Sequence, residues 1–480
     1  MPWLHGAPPF RRERGITTIC CLLVAALGLL AVVVLPAPAL EAKVLPQRPP
    51  PQPGLPWLQV TGSRITTTAG ETVILRGFND DALLQTGTAP LPTPLTAGDV
   101  SLMQQQGFDV VRLPISWSLL EPRPGHFSQR YLRRLAALVA LCARHHIYVV
   151  LDMHTEDFGV AYGGSGAPAW LGVPAVPNLH LPGLSVAWQR HLSPAVNASL
   201  AFFWLYPNWQ RLYWRAWTVV ARKFRADSAV AGYDLYNEPH PIPIPPGIFA
   251  THLLWPFYAT GIRTIAKVDP NHLFILEGDL FGELPTAIRP LHAADVVYST
   301  HLYAGSILGS PFTGQERPLQ QEWHQALAEA GQVPAPYWVG EVGIQHSRPK
   351  ARLWAQDEIA LSNRHLAGWA WWQWDDSGGW GVRQGRGPVD RSWLETLSQP
   401  FIRSAPGDLL SMGYSPGRKL LWADIVRAPR GSTVVVSWPK TQGTVRLESS
   451  CVRLAARSAP GSGQVRLVML AQSCRLQLAS

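Results

Sequence analysis

The sequence predicts a (β/α)8 barrel followed by a small β-sandwich, and three observations carry that prediction. Eight short, nearly continuous apolar runs alternate with stretches of helical periodicity, as parallel strands buried on both faces do. Most of these runs turn polar at their C-terminal ends, and in a parallel barrel all such ends open on one face. After Pro400 the helical pattern gives way to alternating, β-branched segments.

Taken in order, the chain opens on a basic stub, Arg11 to Arg14, followed by Ile16 to Leu35, twenty residues without a charge. At about 1.5 Å per residue that segment spans a bilayer core. Positive charge before it places the N-terminus in the cytoplasm and the remainder outside. An uncleaved anchor is the expectation for residues 1–43, and a signal peptide cut after Ala37-Pro38-Ala39 is the alternative. Residues 44–56, proline-rich, read as a stiff spacer. The barrel follows over 57–400. Its strands are read at 72–79, 108–117, 147–154, 230–239, 273–278, 295–303, 337–343 and 366–374, with helices such as Ser128 to His146 between them. A doubly wound sheet is the alternative, but no glycine-rich phosphate loop follows the first strand. Residues 401–480 read as the sandwich. Cys20 and Cys21 lie in the apolar segment and Cys142 on a buried helix face, which leaves Cys451 and Cys474 as the disulfide pair of an exported protein.

Composition excludes some classes. With 47% apolar residues the chain is not disordered, and the net charge of +9 is spread too thinly for a nucleic-acid partner. It fits work beside an anionic membrane surface. No Cys or His spacing suits a metal.

The polar strand ends are Asn79, Arg112, His154, Asn237 with Glu238, His301 with Tyr303, Glu341, and Trp372 with Gln373. Singly, each reads as a satisfied polar group of the core; together, on seven of the eight strands, they read as an active site. Glu238 and Glu341 end the fourth and seventh strands and face each other across the barrel mouth. Two carboxylates so placed suit a retaining glycosidase, one as nucleophile and the other as acid/base.

The ordered set RGFN, VRLPISW, LDMH, LYNEP, STHLY, WVGEVG and WAWWQW resembles glycoside hydrolase family 5 over about Gln59 to Trp374. Within it, Leu151 to Leu171, with its GGxGxPxW pattern, and the trailing β-domain are similar to the endoglycoceramidases. The resemblance implies Glu238 as general acid/base and Glu341 as nucleophile. It implies Arg112 and Tyr303 as supports of Glu341 and Asn237 as the partner of the sugar 2-hydroxyl. His154 and His301 would position hydroxyls and the acid, and Trp372 would face the first sugar. The sequence departs from those enzymes in two places. His154-Thr155-Glu156 stands where they carry His-Gln-Asp, which makes Glu156 the sugar-contacting candidate. Their lysine after the first strand has no counterpart in Phe78 to Leu84, where Asp80 and Asp81 are expected to cap a loop.

The expected function is hydrolysis of the β-bond between a glycan and a lipid aglycone such as ceramide, without cofactor or metal, by a membrane-anchored or secreted monomer. The rivals are an endo-β-glucanase or mannanase acting on polysaccharide, and a catalytically silent carbohydrate- or lipid-binding surface protein. The aromatic stretches Ser199 to Trp217 and His252 to Ile262 read as barrel helices showing their core faces, with a lipid groove as the alternative.

Overall fold

The computed structural model describes residues 48–480 apart from 90, 176–185, 242–243, 280–290, 292, 308–309, 377, 386 and 456–461. Eight parallel strands close into a barrel: β1 (Arg76–Asn79), β2 (Val110–Ile115), β3 (Tyr148–Met153), β4 (Val230–Asp234), β5 (Leu273–Glu277), β6 (Val296–Leu302), β7 (Tyr337–Val342) and β8 (Gly368–Trp371). The closing pair joins β8 to β1, with Trp369 opposite Arg76 and Trp371 opposite Phe78. Each expected strand contains one of these.

Helices α1 (Gln129–Arg144), α2 (Pro194–Leu205), α3 (Pro207–Phe224) and α4 (Trp255–Ala266) belong to the outer layer. The Ser128 hydroxyl starts α1 by accepting the Tyr131 amide at 3.2 Å, and Tyr131, Leu135, Val139 and Cys142 form its buried stripe. The aromatic stretches are mostly core. Phe203 and Trp204 of α2, Tyr213 and Trp214 of α3 and Phe257 of α4 are buried against one another, whereas Phe202, Leu205 and Tyr206 stay exposed.

The run Thr72 to Asn79, read as one strand, serves two sheets. Thr72–Val73 pairs with Phe401–Ala405 in a seven-stranded antiparallel sheet, and the chain then enters the barrel at Arg76. Ile74 points into the core of the C-terminal part and Leu75 into that of the barrel, so alternate side chains send the run both ways. The boundary read at 400 therefore runs through a shared sheet, which also takes in Leu58–Thr61 and Arg64–Thr67. A four-stranded sheet packs on it, and Cys451–Cys474 links the strand region of one sheet to the other.

These sheets meet the barrel at the N-terminal ends of its strands. Ser437 Oγ donates to Gly107 O at 2.6 Å, Arg403 Nη2 donates to His146 O at 2.5 Å, and the Arg76 guanidinium lies 4.7 Å from the Phe401 ring centre. The polar residues at the C-terminal ends of the strands lie on the opposite face. Residues 48–56, part of the proline-rich stretch read as a stiff spacer, touch the same floor through a few residues, while 50–54 are exposed. Leu55 is fully buried, the Gln52 amide donates to Ser228 Oγ at 2.6 Å, and Tyr148 donates to Pro56 O at 2.7 Å. The apolar residues Leu55 and Trp57 at the end of the proline run anchor it there. Among the described residues no helix is long and apolar enough to cross a membrane, and the segment Ile16 to Leu35 lies outside them.

Candidate active site

Alternation along a strand sends every second side chain into the barrel. On β2 that rule turns Arg112 inward, fully buried, where it becomes the hub of the site. Its Nε donates to Asp234 Oδ2 at 2.8 Å, and Nη1 to Asn79 Oδ1 at 3.1 Å and Glu341 Oε1 at 2.7 Å. Nη2 donates to Asn237 Oδ1 at 2.9 Å and Glu277 Oε1 at 3.0 Å, with Asp152 Oδ2 at 3.2 Å. One guanidinium thus faces the carboxyls of Asp152, Asp234, Glu277 and Glu341. A single positive charge does not offset four buried negative ones, so protons make up the difference. Burial pushes Asp234 well above the usual carboxylate range and Glu277 up to about 8, although Arg112 opposes both. At Asp152 burial acts the same way, but Arg112 and His154 outweigh it and hold the group low.

Above this floor stand the two glutamates. Glu341 ends β7 and accepts a second bond, from Tyr303 Oη to its Oε2 at 2.8 Å. Glu238 follows β4, with 20% of its side chain open to the mouth, and its Oε1 lies 2.7 Å from His301 Nδ1. Carboxylate oxygens of Glu238 and Glu341 approach within 4.8 Å, in keeping with a retaining pair and short of the wider gap in which an inverting pair places its water. Glu238 is pushed up to about 7, first by burial and only secondarily by Glu341, with His301 pulling the other way. The dry wall does more here than the neighbouring charge. Glu238, His301 and Glu341 are also the group among the described residues that would hold a metal ion, although bonds from His301 and Tyr303 already engage both carboxylates.

Comparison with known proteins bears on what this arrangement is. The family model for cellulase (glycosyl hydrolase family 5) matches residues 70–378. The chain belongs to glycosyl hydrolase family 5. It is accordingly a glycoside hydrolase. Among similar proteins, endoglycoceramidase I of Rhodococcus hoagii is 23% identical over 421 residues, covering 76% of this chain and 75% of that one. The structure of endo-glycoceramidase II from Rhodococcus sp. in its ganglioside GM3 complex superposes with a TM-score of 0.76 at 22% identity, over 87% of this chain and 99% of that one. A crystal structure of endogalactoceramidase matches at 28% identity and a TM-score of 0.69, over 89% of this chain and 100% of that one.

The remaining family 5 candidates frame the mouth. Asn237 donates one amide hydrogen to Thr155 O at 3.0 Å and so keeps the other for a ligand. His154 Nδ1 lies 2.7 Å from Asp152 Oδ2; burial opposes a charge on the ring, but Asp152 outweighs it and raises the pKa. The half-buried Trp372 stacks on His154, with ring centres 5.8 Å apart at 15°. Asp80 caps its loop through Ala82 N at 3.1 Å, as expected. Asp81 is pushed up to about 7, first by burial and then by Asp376.

The glycine-rich loop after β3 folds back on itself at Glu156 and Ser165, and a Cβ on Gly164 would fall 2.1 Å from Glu156 O. This hairpin faces a recess that reaches Glu238 and has Phe158, Val196, Leu200 and Tyr236 in its wall. Glu156 lines it too, with Arg190 at 3.4 Å. The sequence reading missed Asp152, Asp234, Glu277 and the recess residues His191 and His240. Glu277 was within reach, because it ends the fifth strand as the flagged residues end theirs.

Proposed function

We propose that the chain is a retaining β-glycosidase that separates a glycan from a lipid aglycone, with Glu341 as nucleophile and Glu238 as acid/base. The observation that carries this reading is the approach of the two carboxylates to within 4.8 Å, each with its own hydrogen-bond partner. Glu341 would attack the anomeric carbon while Glu238 passes its proton to the departing oxygen. The ester at Glu341 would then yield to water, whose proton returns to Glu238. A group raised to about 7 suits both transfers at neutral pH. Arg112 and Tyr303 aim the nucleophile, and Trp372 and Asn237 receive the sugar.

The lipid aglycone is supported by the endoglycoceramidase names of similar proteins and by the apolar side chains in the recess beside Glu238. Placement outside the cytoplasm, through Ile16 to Leu35, is part of the proposal and is supported by the Cys451–Cys474 disulfide. The test is separate incubation with glucosylceramide, a longer glycosphingolipid, a sterol glucoside and a cello-oligosaccharide, with products identified by mass spectrometry. Free ceramide with an intact sugar chain is the expected result. Cleavage of the cello-oligosaccharide alone would make the chain a glucanase, and silence on all four would favour a binding protein.

A further inference from the structure

Glu238 has a left-handed backbone, φ +46°, although it is not glycine and precedes a proline, which favours extended geometry. Such a residue stays put only if its surroundings hold it. Its amide donates to Glu277 Oε2 at 2.8 Å. Glu277 is itself fixed: Arg112 Nη2 donates to its Oε1 at 3.0 Å, and Tyr258 Oη bonds its carbonyl at 3.0 Å and its amide at 3.3 Å. The same Oε1 stands 3.2 Å from Nε2 of His301, whose Nδ1 meets Glu238 at 2.7 Å. His301 is thus set between two carboxyls.

We infer that Glu277 is a positioning residue for the acid/base: one oxygen holds the Glu238 backbone, and the other faces the far nitrogen of the His301 ring that contacts the Glu238 carboxyl. A neutral imidazole carries one N–H. With the hydrogen on Nε2, beside ionised Glu277 but not aligned in a hydrogen bond with it, Nδ1 accepts the proton of Glu238, and Glu238 is an acid. With the hydrogen on Nδ1, Glu238 is the ionised acceptor and Glu277 holds the proton. The two arrangements contain the same protons and differ only in which carboxyl is charged. The groups around Glu277 are Arg112 on β2, Asp152 on β3, Asp234 on β4, Glu238 beyond it, Tyr258 on α4, His301 on β6 and Glu341 on β7. Burial and the acidic neighbours raise it, and Arg112 opposes them.

This inference rests on the acid/base reading of Glu238, and the test separates the two. Parent, Glu277→Gln and Glu238→Gln are assayed on octyl and 2,4-dinitrophenyl β-glycosides of a sugar the parent hydrolyses. Glu277→Gln keeps an acceptor for the Glu238 amide but cannot titrate. Its kcat/KM on the octyl glycoside should fall about 10- to 100-fold, a part of what acid/base catalysis supplies. On the dinitrophenyl glycoside, whose departure needs no acid, the change should stay within about threefold. The basic limb of its pH profile should move to lower pH, because a carboxylate that opposes ionisation of Glu238 is gone. Equal loss on both substrates, no loss, or an unmoved profile overturns the inference. If Glu238→Gln itself lacks the leaving-group dependence, the acid/base reading fails first and this inference with it. Should Glu277→Gln not fold, Glu277→Asp decides: it should show the same dependence, and parity with the parent on both substrates counts against the role.

Discussion

Arg112 Nη1 meets Glu341 Oε1 at 2.7 Å, with the guanidinium side chain fully buried and the carboxylate 5% exposed. The bond aims Glu341, the proposed nucleophile, and also joins it to the charge balance of the barrel floor, so the two ends should respond differently to substitution. Glu341→Gln keeps the shape and should abolish turnover with the fold intact. Arg112→Met leaves several buried carboxyls without their cation, and loss of one side of a buried ionic network costs about 3–5 kcal/mol. Urea unfolding of the two variants should therefore show a large loss for Arg112→Met alone. Full activity in Glu341→Gln would sink the mechanism.

Glu238→Gln should retain attack on substrates with good leaving groups and regain turnover when azide replaces water as the second nucleophile. The absence of both would remove Glu238 from the acid/base role. Stability should change with a definite sign. Glu238 holds its proton up to about pH 7 in the folded chain, above its ordinary value of 4.5. Between those values the folded state binds more protons than the unfolded one, so the parent loses stability as pH rises through that window. The neutral glutamine does not titrate. The difference in unfolding free energy between variant and parent should move in favour of Glu238→Gln from pH 4.5 to 7 and level off above.

How much of this was legible follows from which signals are local. Polar residues toward strand ends announce themselves in sequence, so Glu238 and Glu341 were flagged before their contacts were known; Arg112 was flagged with them as an end, although it stands third of six in β2. Asp152 and Asp234, fifth of six residues in β3 and last in β4, were passed over although they too lie toward strand ends, and the alternation that turns Arg112 inward brings them to it. Glu277 obeyed the rule but was passed over. The pairing of Val73 with Ser404 joins residues distant in sequence, and nothing in TVILRGFN marks where it leaves one sheet for another. The recess depends on a loop, a helix and a strand end meeting in space.

Trp372 stacks on His154 at 5.8 Å and is only half-buried, so part of its ring faces the mouth. Aromatic stacking of this kind is worth about 1 kcal/mol. Trp372→Ala should therefore cut kcat/KM by roughly five- to tenfold, mainly through KM, because a flat contact holds substrate and transition state alike. Steady-state kinetics on a single glycoside would show it. A fall confined to kcat would mean that the ring acts on the chemistry through His154.

The Cys451–Cys474 disulfide closes a loop of sequence separation 23 and links the two sheets behind the barrel. Loop closure of that length stabilises by about 3 kcal/mol. The sheets meet the barrel at the strand ends opposite the glutamates, at Gly107 and His146. Cys451→Ser should therefore lower the unfolding temperature while leaving kcat/KM at 25 °C within about twofold of the parent, because the bond reaches the active site only through a floor that remains folded at that temperature. Calorimetry and a kinetic assay on the same preparation separate the effects. An unchanged midpoint would show that the strand pairing alone holds the sandwich, and a parallel loss of activity would show that the floor transmits its state to Arg112.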